Sequence, residues 1–216
     1  MLSQTDIIYY FFYVICLIFS FSRIKNIKGI NLLRSVLVLG LINEIYVEVM
    51  QFLGKEENFS HFLYIPAEYS MLTLFYRHQT KRKYLRNSML MSIPAYLFLV
   101  FFVSFKYYNF KDYPSIVYNI GCVFSIIWLT LIMFNLELVE NISIVKIPVF
   151  WILSGLLIFY SGVYFFNTAY SFLLIHNPEV ALKIRTYINL SLNLIFYTFT
   201  TYAFLCSLKM KSYTYH

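Results

Sequence analysis

Three glutamates, Glu44, Glu48 and Glu68, stand inside stretches that otherwise offer only hydrocarbon. A carboxylate at bilayer depth costs a few kcal/mol or more, so it is rarely kept without a use. Gly40, Glu44, Glu48 and Gln51 follow the i, i+4, i+8, i+11 pattern of one helical face. His61 and Glu68, seven residues apart, share a face of the next segment. A second polar stripe occupies the last apolar segment: Lys183 and Arg185 at its mouth, then Asn189, Asn193 and Tyr197. Carboxylates so placed can bind a cationic ligand, carry a coupled cation or proton, or act as general acid and base. Three buried acids need counter-charges or a shared proton, and Lys183 and Arg185 are the expected partners. Asn119 and Asn167 add amides near the same level.

Other chemistries are poorly supplied. His61 and Glu68 are two helical turns apart, about 10.5 Å along the axis, too far for one ion. The chain has 4 histidines and no convergent His or Cys set, so no metal and no cofactor is expected. Nucleophilic serine motifs, phosphate-binding glycine loops and kinase signatures are missing, and no catalytic residue is assigned. The 3 cysteines, Cys16, Cys122 and Cys206, all fall inside apolar segments and read as free packing residues.

The elements that must position these groups follow from composition. The chain of 216 residues is 60% hydrophobic and 12% charged, with a mean hydropathy of +0.67. That charge is too little to cover a water-soluble surface. In lipid the backbone must satisfy itself, so only helices or a closed barrel are open. Runs such as 7–21 and 89–105 lack the alternation of barrel strands. The expected fold is an all-α membrane protein: a single bundle of seven transmembrane helices with no soluble domain. The spans are placed at 6–22, 31–53, 60–76, 88–105, 115–136, 147–172 and 184–208. The first should stay as a span, because no basic residue precedes it and no small-x-small cleavage site follows. Pro66 and Pro94 fall inside spans three and four, where each frees a carbonyl and bends its helix. Ser154-Gly155 and Ser161-Gly162 put small residues on one face of span six, for close packing inside the protein or between copies.

The basic residues set the orientation. With the N-terminus outside, Arg23, Lys25, Lys28, Arg77, Lys81, Arg82, Lys83, Arg86, Lys146, Lys209 and Lys211 are cytoplasmic. Lys55, Lys106, Lys111, Lys183 and Arg185 stay outside, while Arg34 snorkels inward. The N-terminus is therefore expected outside and the C-terminus in the cytoplasm. Glu137 and Glu140 dilute the positive charge of the fifth connection, and Glu56 and Glu57 suit an outer second connection. The net charge of +7 belongs to these connections, so no nucleic-acid binding is expected. On this topology Glu48 and Glu68 are expected at matching depth, with Glu44 one turn deeper. All three would line a polar cavity open to the outside. Tyr9, Tyr10 and Tyr13 at one end of span one, with Tyr107, Tyr108 and Tyr113 after span four, read as interfacial belts. Asn58-x-Ser60 and Asn141-x-Ser143 match the short glycosylation pattern.

The stretch 43–77, NEIYVEVMQFLGKEENFSHFLYIPAEYSMLTLFYR, resembles a region of small bacterial seven-span proteins of unassigned function. There an acidic second span leads through a short loop to a tyrosine, a proline and a glutamate, here Tyr64, Pro66 and Glu68. The resemblance implies the topology and brings no activity.

The expected function is that of a receptor or accessory component of the cytoplasmic membrane, more a binder than an enzyme. It would bind a small cationic ligand or ion on its outer side. It would contact a cytoplasmic protein partner, or anionic lipid, through Arg77, Lys81, Arg82, Lys83 and Arg86. Two other readings stay open: a small ion- or proton-coupled transporter or channel, and an intramembrane lipid-modifying enzyme using the same acids. The bilayer itself and a second copy are its other expected partners.

Overall fold

The computed structural model describes residues 4–22, 24, 27–55, 58–108, 114–136 and 143–209. Arg23, Lys25, Glu56, Glu57, Lys111, Tyr113, Glu137, Glu140, Asn141 and Lys211 lie outside the described residues, as does the side chain of Tyr108. The α-helices are α1 (Gln4–Ser20), α2 (Ile30–Phe52), α3 (Phe59–His78), α4 (Lys83–Val103), α5 (Ser115–Phe134), α6 (Pro148–His176) and α7 (Pro178–Lys209). A π-helical turn, Ser104–Tyr108, extends α4, and a 3-10 turn, Ile144–Lys146, precedes α6.

Five of these helices, α2, α4 with its π turn, α5, α6 and α7, are long and apolar enough to cross a membrane. They are the helices of a multi-pass membrane protein. The apolar α1 has 17 residues, about 25 Å, and falls short of a bilayer core of about 30 Å. The 20 residues of α3 include His61, Glu68, Arg77 and His78, which dilute its apolar character.

Local chemistry sets the helix ends. Gly29 opens α2 with φ of +71°, and a Cβ there would stand 3.0 Å from His78 Cδ2. At the far end Gly54 takes φ of +63°. The amide of Lys55 donates to the Met50 carbonyl and that of Gly54 to the Gln51 carbonyl, a Schellman closure that stops α2 at Phe52. In α3, the Ser70 hydroxyl donates to the Pro66 carbonyl at 2.7 Å, one turn after the proline break. Pro148 and Pro178 stand at the first helical positions of α6 and α7, where a missing N–H costs little.

The last helix starts earlier than its apolar run suggests. Asn177 Oδ1 accepts the Val180 amide at 3.3 Å and caps the first turn. Helix α7 therefore begins at Pro178 rather than near 184, and Lys183 and Arg185 sit on its second turn. His176, expected in a loop, ends α6 and stacks on Phe172 at 4.1 Å. Likewise α4 begins at Lys83 rather than 88, because Leu85 and Met89 bury one side of its first turns.

The chain forms two compact units, Lys28–Trp128 and Met1–Ile27 with Leu129–His216. In the first, α3 packs against α2 and α4. Its core joins Ile65, Tyr69, Tyr96, Val100 and Val117. Tyr69 and Tyr96 lie 4.2 Å apart between ring centroids, and the Tyr96 hydroxyl donates to the Val117 carbonyl at 3.0 Å. The Gln79 side chain ties the start of this unit to the end of α3, donating to the Lys28 carbonyl at 2.7 Å.

In the second unit α6 and α7 form a long antiparallel pair, and α1 packs on α7. Gly155 meets Phe199, Gly162 meets Leu192, and the Phe159 and Phe196 rings lie 5.7 Å apart. These pairs keep one register along the hairpin. The glycine face of α6 is thus filled by α7. Tyr197 of α7 stacks on Tyr13 at 4.7 Å, and its hydroxyl lies 3.2 Å from that of Tyr9. Cys16 is buried beside Thr201. Cys122 is also buried, Cys206 is half-buried, and all three cysteines are free.

Candidate functional site

The side of α2 that packs in the Lys28–Trp128 unit is marked by Leu33, Leu37 and Gly40, all buried. Glu44, Glu48 and Gln51 continue that same face by steps of three and four. The face therefore changes from apolar to acidic at mid-helix. The packing changes there too: every buried residue of α2 lies between Ile30 and Gly40. Glu44 is half-buried, and Glu48 and Gln51 are exposed.

Counting from the helix ends gives the depths. Glu68 is nine residues from the start of α3, about 13 Å along its axis. Glu44 is eight residues from the end of α2, about 12 Å, and Glu48 is four, about 6 Å. Glu44, not Glu48, shares the level of Glu68. His61, half-buried, stands nearer the loop, at the level of Gln51. The resulting ladder has three steps: an imidazole and an amide, then Glu48, then Glu44 and Glu68.

Glu68 is half-buried and interacts electrostatically with the Tyr76 phenol and the Cys122 thiol. Tyr76 is fully buried. Ser125 lies beside its hydroxyl, yet among the described residues no hydrogen bond of good geometry closes on that oxygen. The neighbouring phenol of Tyr69 is well served. It lies 2.9 Å from the Ser92 hydroxyl and accepts the Trp128 indole N–H at 3.4 Å.

An orphaned buried hydroxyl is a cost and a paired one a gain, so the two tyrosines should respond oppositely to loss of oxygen. Tyr76→Phe is expected to leave stability unchanged or raise it by up to about 1 kcal/mol. Tyr69→Phe should lower it by about 0.6 to 1.7 kcal/mol, the range for hydrogen bonds inside membrane proteins. Unfolding of the two purified variants in mixed micelles measures both, and a loss at Tyr76 equal to that at Tyr69 would contradict the assignment.

The polar stripe of α7 lies in the other unit and grows more buried along the helix. Lys183, Arg185 and Asn189 are exposed, Asn193 is half-buried and Tyr197 is buried. The Asn193 amide donates to the Asn189 carbonyl at 2.9 Å, and the Arg185 guanidinium lies 5.6 Å from the Tyr170 ring centroid. Asn119 and Asn167 are half-buried.

Of the basic residues at the opposite end of α3, Arg77 closes that helix, and Lys83 and Arg86 open α4. Lys81 and Arg82 lie between them. Lys81, Arg82, Lys83 and Arg86 are exposed. Among the described residues, no three His, Cys, Asp or Glu side chains come together as a metal site. The tyrosines of the core, Tyr69, Tyr76 and Tyr96, had no signal in the sequence beyond general aromatic enrichment. No protein-family model, no curated protein and no solved structure matches this chain.

Proposed function

We propose that the chain is a receptor or accessory component of the cytoplasmic membrane. In this reading all seven helices cross, with the N-terminus outside and the C-terminus inside. It binds a small cationic ligand or ion at the outer, acidic end of the α2–α3 pair. It makes contact with an anionic partner through the basic residues between α3 and α4. One observation carries the reading: the packed face of α2 turns from Leu33, Leu37 and Gly40 to Glu44 and Glu48 where its burial ends. Below that point Leu33, Leu37, Leu72, Phe75 and Tyr76 are nearly or wholly buried. A polar end above a dry, filled end suits a one-sided binding site better than a pathway.

The test compares the reconstituted wild type with a Glu44→Gln, Glu48→Gln, Glu68→Gln variant, using sodium, tetramethylammonium and spermidine as probes. At least one probe is expected to raise the thermal midpoint of the wild type. The variant should bind it weakly or not at all, each lost charge-assisted contact being worth about 10- to 100-fold. Neither protein should pass ions. Flux in the wild type that vanishes in the variant would favour transport instead. Labelling of a cysteine at position 56 only from the cytoplasmic side would sink the topology.

A further inference from the structure

Three helices of the Lys28–Trp128 unit carry a break at one level. Pro66 lies inside α3, Pro94 inside α4 and Gly121 inside α5. A proline inside a helix removes one backbone hydrogen bond, and its ring pushes against the preceding turn, so the helix bends there. A glycine inside a helix leaves the backbone freer than any other residue. Tyr69 sets the common level. Its hydroxyl lies 2.9 Å from that of Ser92 and its ring 4.2 Å from that of Tyr96, the two residues that flank Pro94. Tyr69 is itself three residues beyond Pro66, less than one turn. Gly121 joins them through Tyr96, whose hydroxyl oxygen would stand 2.7 Å from a Cβ at that glycine. Each proline also has a serine within about one turn whose hydroxyl donates to the main chain. Ser70 bonds the Pro66 carbonyl and Ser92 the Met89 carbonyl, both at 2.7 Å. Such bonds bend helices in their own right.

Packing differs on the two sides of this level. Toward the basic end, Leu72, Phe75, Tyr76, Leu85 and Met89 are at most 3% exposed. Toward the acidic end, α3 buries only Phe62 and Ile65 before its proline, and no residue of α2 beyond Gly40 is buried. There Ile65, Tyr96, Val100 and Val117 pack into one cluster drawn from α3, α4 and α5. Tyr69 joins that cluster to the rest of the unit, and it also accepts the Trp128 indole N–H at 3.4 Å.

We infer that Pro66, Pro94 and Gly121 form one hinge plane. The segments 59–65, 95–108 and 115–120 swing about it as a block, against α2 and the basic half of the unit. Tyr69, Ser92 and Trp128 are the pivot. His61 rides on the moving block, whereas Glu68, two residues beyond Pro66, stays on the fixed side. The swing therefore opens and closes the acidic end of the α2–α3 pair. Its use as a gate rests on the cation-binding reading above; the hinge itself rests on the three breaks.

Spin labels on genetically encoded residues at positions 35 and 105 read the motion by pulsed electron resonance, and labels at 35 and 84 are the rigid control. Ser35, Tyr84 and Phe105 are exposed, so the labels displace no core side chain. Phe105 is eleven residues beyond Pro94, about 16 Å of helix, so a swing of about 20° moves it by about 5 Å. In the reconstituted wild type the 35–105 distance is expected in two populations about that far apart, while 35–84 gives one narrow peak. Pro66→Ala with Pro94→Ala restores both backbone hydrogen bonds and should collapse the 35–105 distance to one population. The wild-type comparison with the control pair needs no variant. A single narrow 35–105 distance in the wild type, equal breadth in the control pair, or two populations that survive loss of both prolines overturns the proposal. Spermidine should shift the wild-type populations toward one of the two. Two populations that neither spermidine, sodium nor tetramethylammonium shifts would remove the cation reading and leave the hinge standing. A cation that raises the thermal midpoint of a protein with a single 35–105 distance would do the reverse.

Discussion

Gly155→Ala is expected to destabilise the α6–α7 pair by about 1–3 kcal/mol, the range for overpacking a filled interior. A Cβ at Gly155 would stand 2.9 Å from the Cβ of Phe199, with the Phe196 carbonyl oxygen at 3.7 Å. A Cβ is fixed by the backbone, so no rotamer change relieves the contact and one helix must move. Gly162 looks worse by distance, since its Cβ would overlap a Leu192 methyl. That methyl is the far end of a flexible side chain. Turning it aside costs about 0.5–1.5 kcal/mol, so Gly162→Ala should be the milder change. The two substitutions test the same helix pair at sites seven residues apart. Unfolding in mixed micelles should rank Gly155→Ala below Gly162→Ala, and the reverse order would show that the helices are free to slide.

The seven apolar segments were legible because hydrocarbon in long runs has few other uses, and each one coincides with a helix. The acids were legible for the complementary reason, as charges stand out where everything else is apolar. Registers and ends were less so. Glu48 was expected level with Glu68, and Glu44 takes that place. The end of α2 and the start of α3 lie within one residue of the expected spans, so the level follows from counting the rise per residue from each end and not from a shift of either end. The early start of α7 has a local cause. Asn177-Pro178-Glu179 is a cap, a first-turn proline and a first-turn acid, a signal that hydropathy averages away. Tyrosine was the deepest blind spot. Its abundance reads as interfacial belt or codon bias, and only packing separates Tyr96, buried and bonded, from Tyr107, exposed beside Lys106. The ligand chemistry of Glu44, Glu48 and Glu68 had no further signal in sequence, since carboxylates serve a cation, a proton or a reaction alike.

The second large effect is expected at Gly121, where α5 meets the core around Tyr69 and Tyr96. A Cβ there would lie 2.7 Å from the Tyr96 hydroxyl oxygen and 3.1 Å from its Cζ. Tyr96 is fully buried and held on two sides, by the Tyr69 ring and by its hydrogen bond to Val117. Gly121→Ala therefore adds overpacking, about 1–3 kcal/mol, to the loss of that bond, about 0.6–1.7 kcal/mol. Tyr96→Phe alone loses only the bond. In the double variant the closest clash is gone, because the oxygen that the new methyl would strike has been removed. The 3.1 Å approach to the ring remains and needs a shift of a few tenths of an ångström. The double variant should thus be more stable than Gly121→Ala alone, although each single change is destabilising. A double-mutant cycle on unfolding free energies reads this as a coupling of about 1–2 kcal/mol. Additive effects would mean that Tyr96 does not occupy the space above Gly121. The cycle also bears on function. Glu68 interacts electrostatically with the Cys122 thiol of α5, so on the proposed reading Gly121→Ala should weaken cation binding as well, and Tyr96→Phe added to it should recover part of the loss.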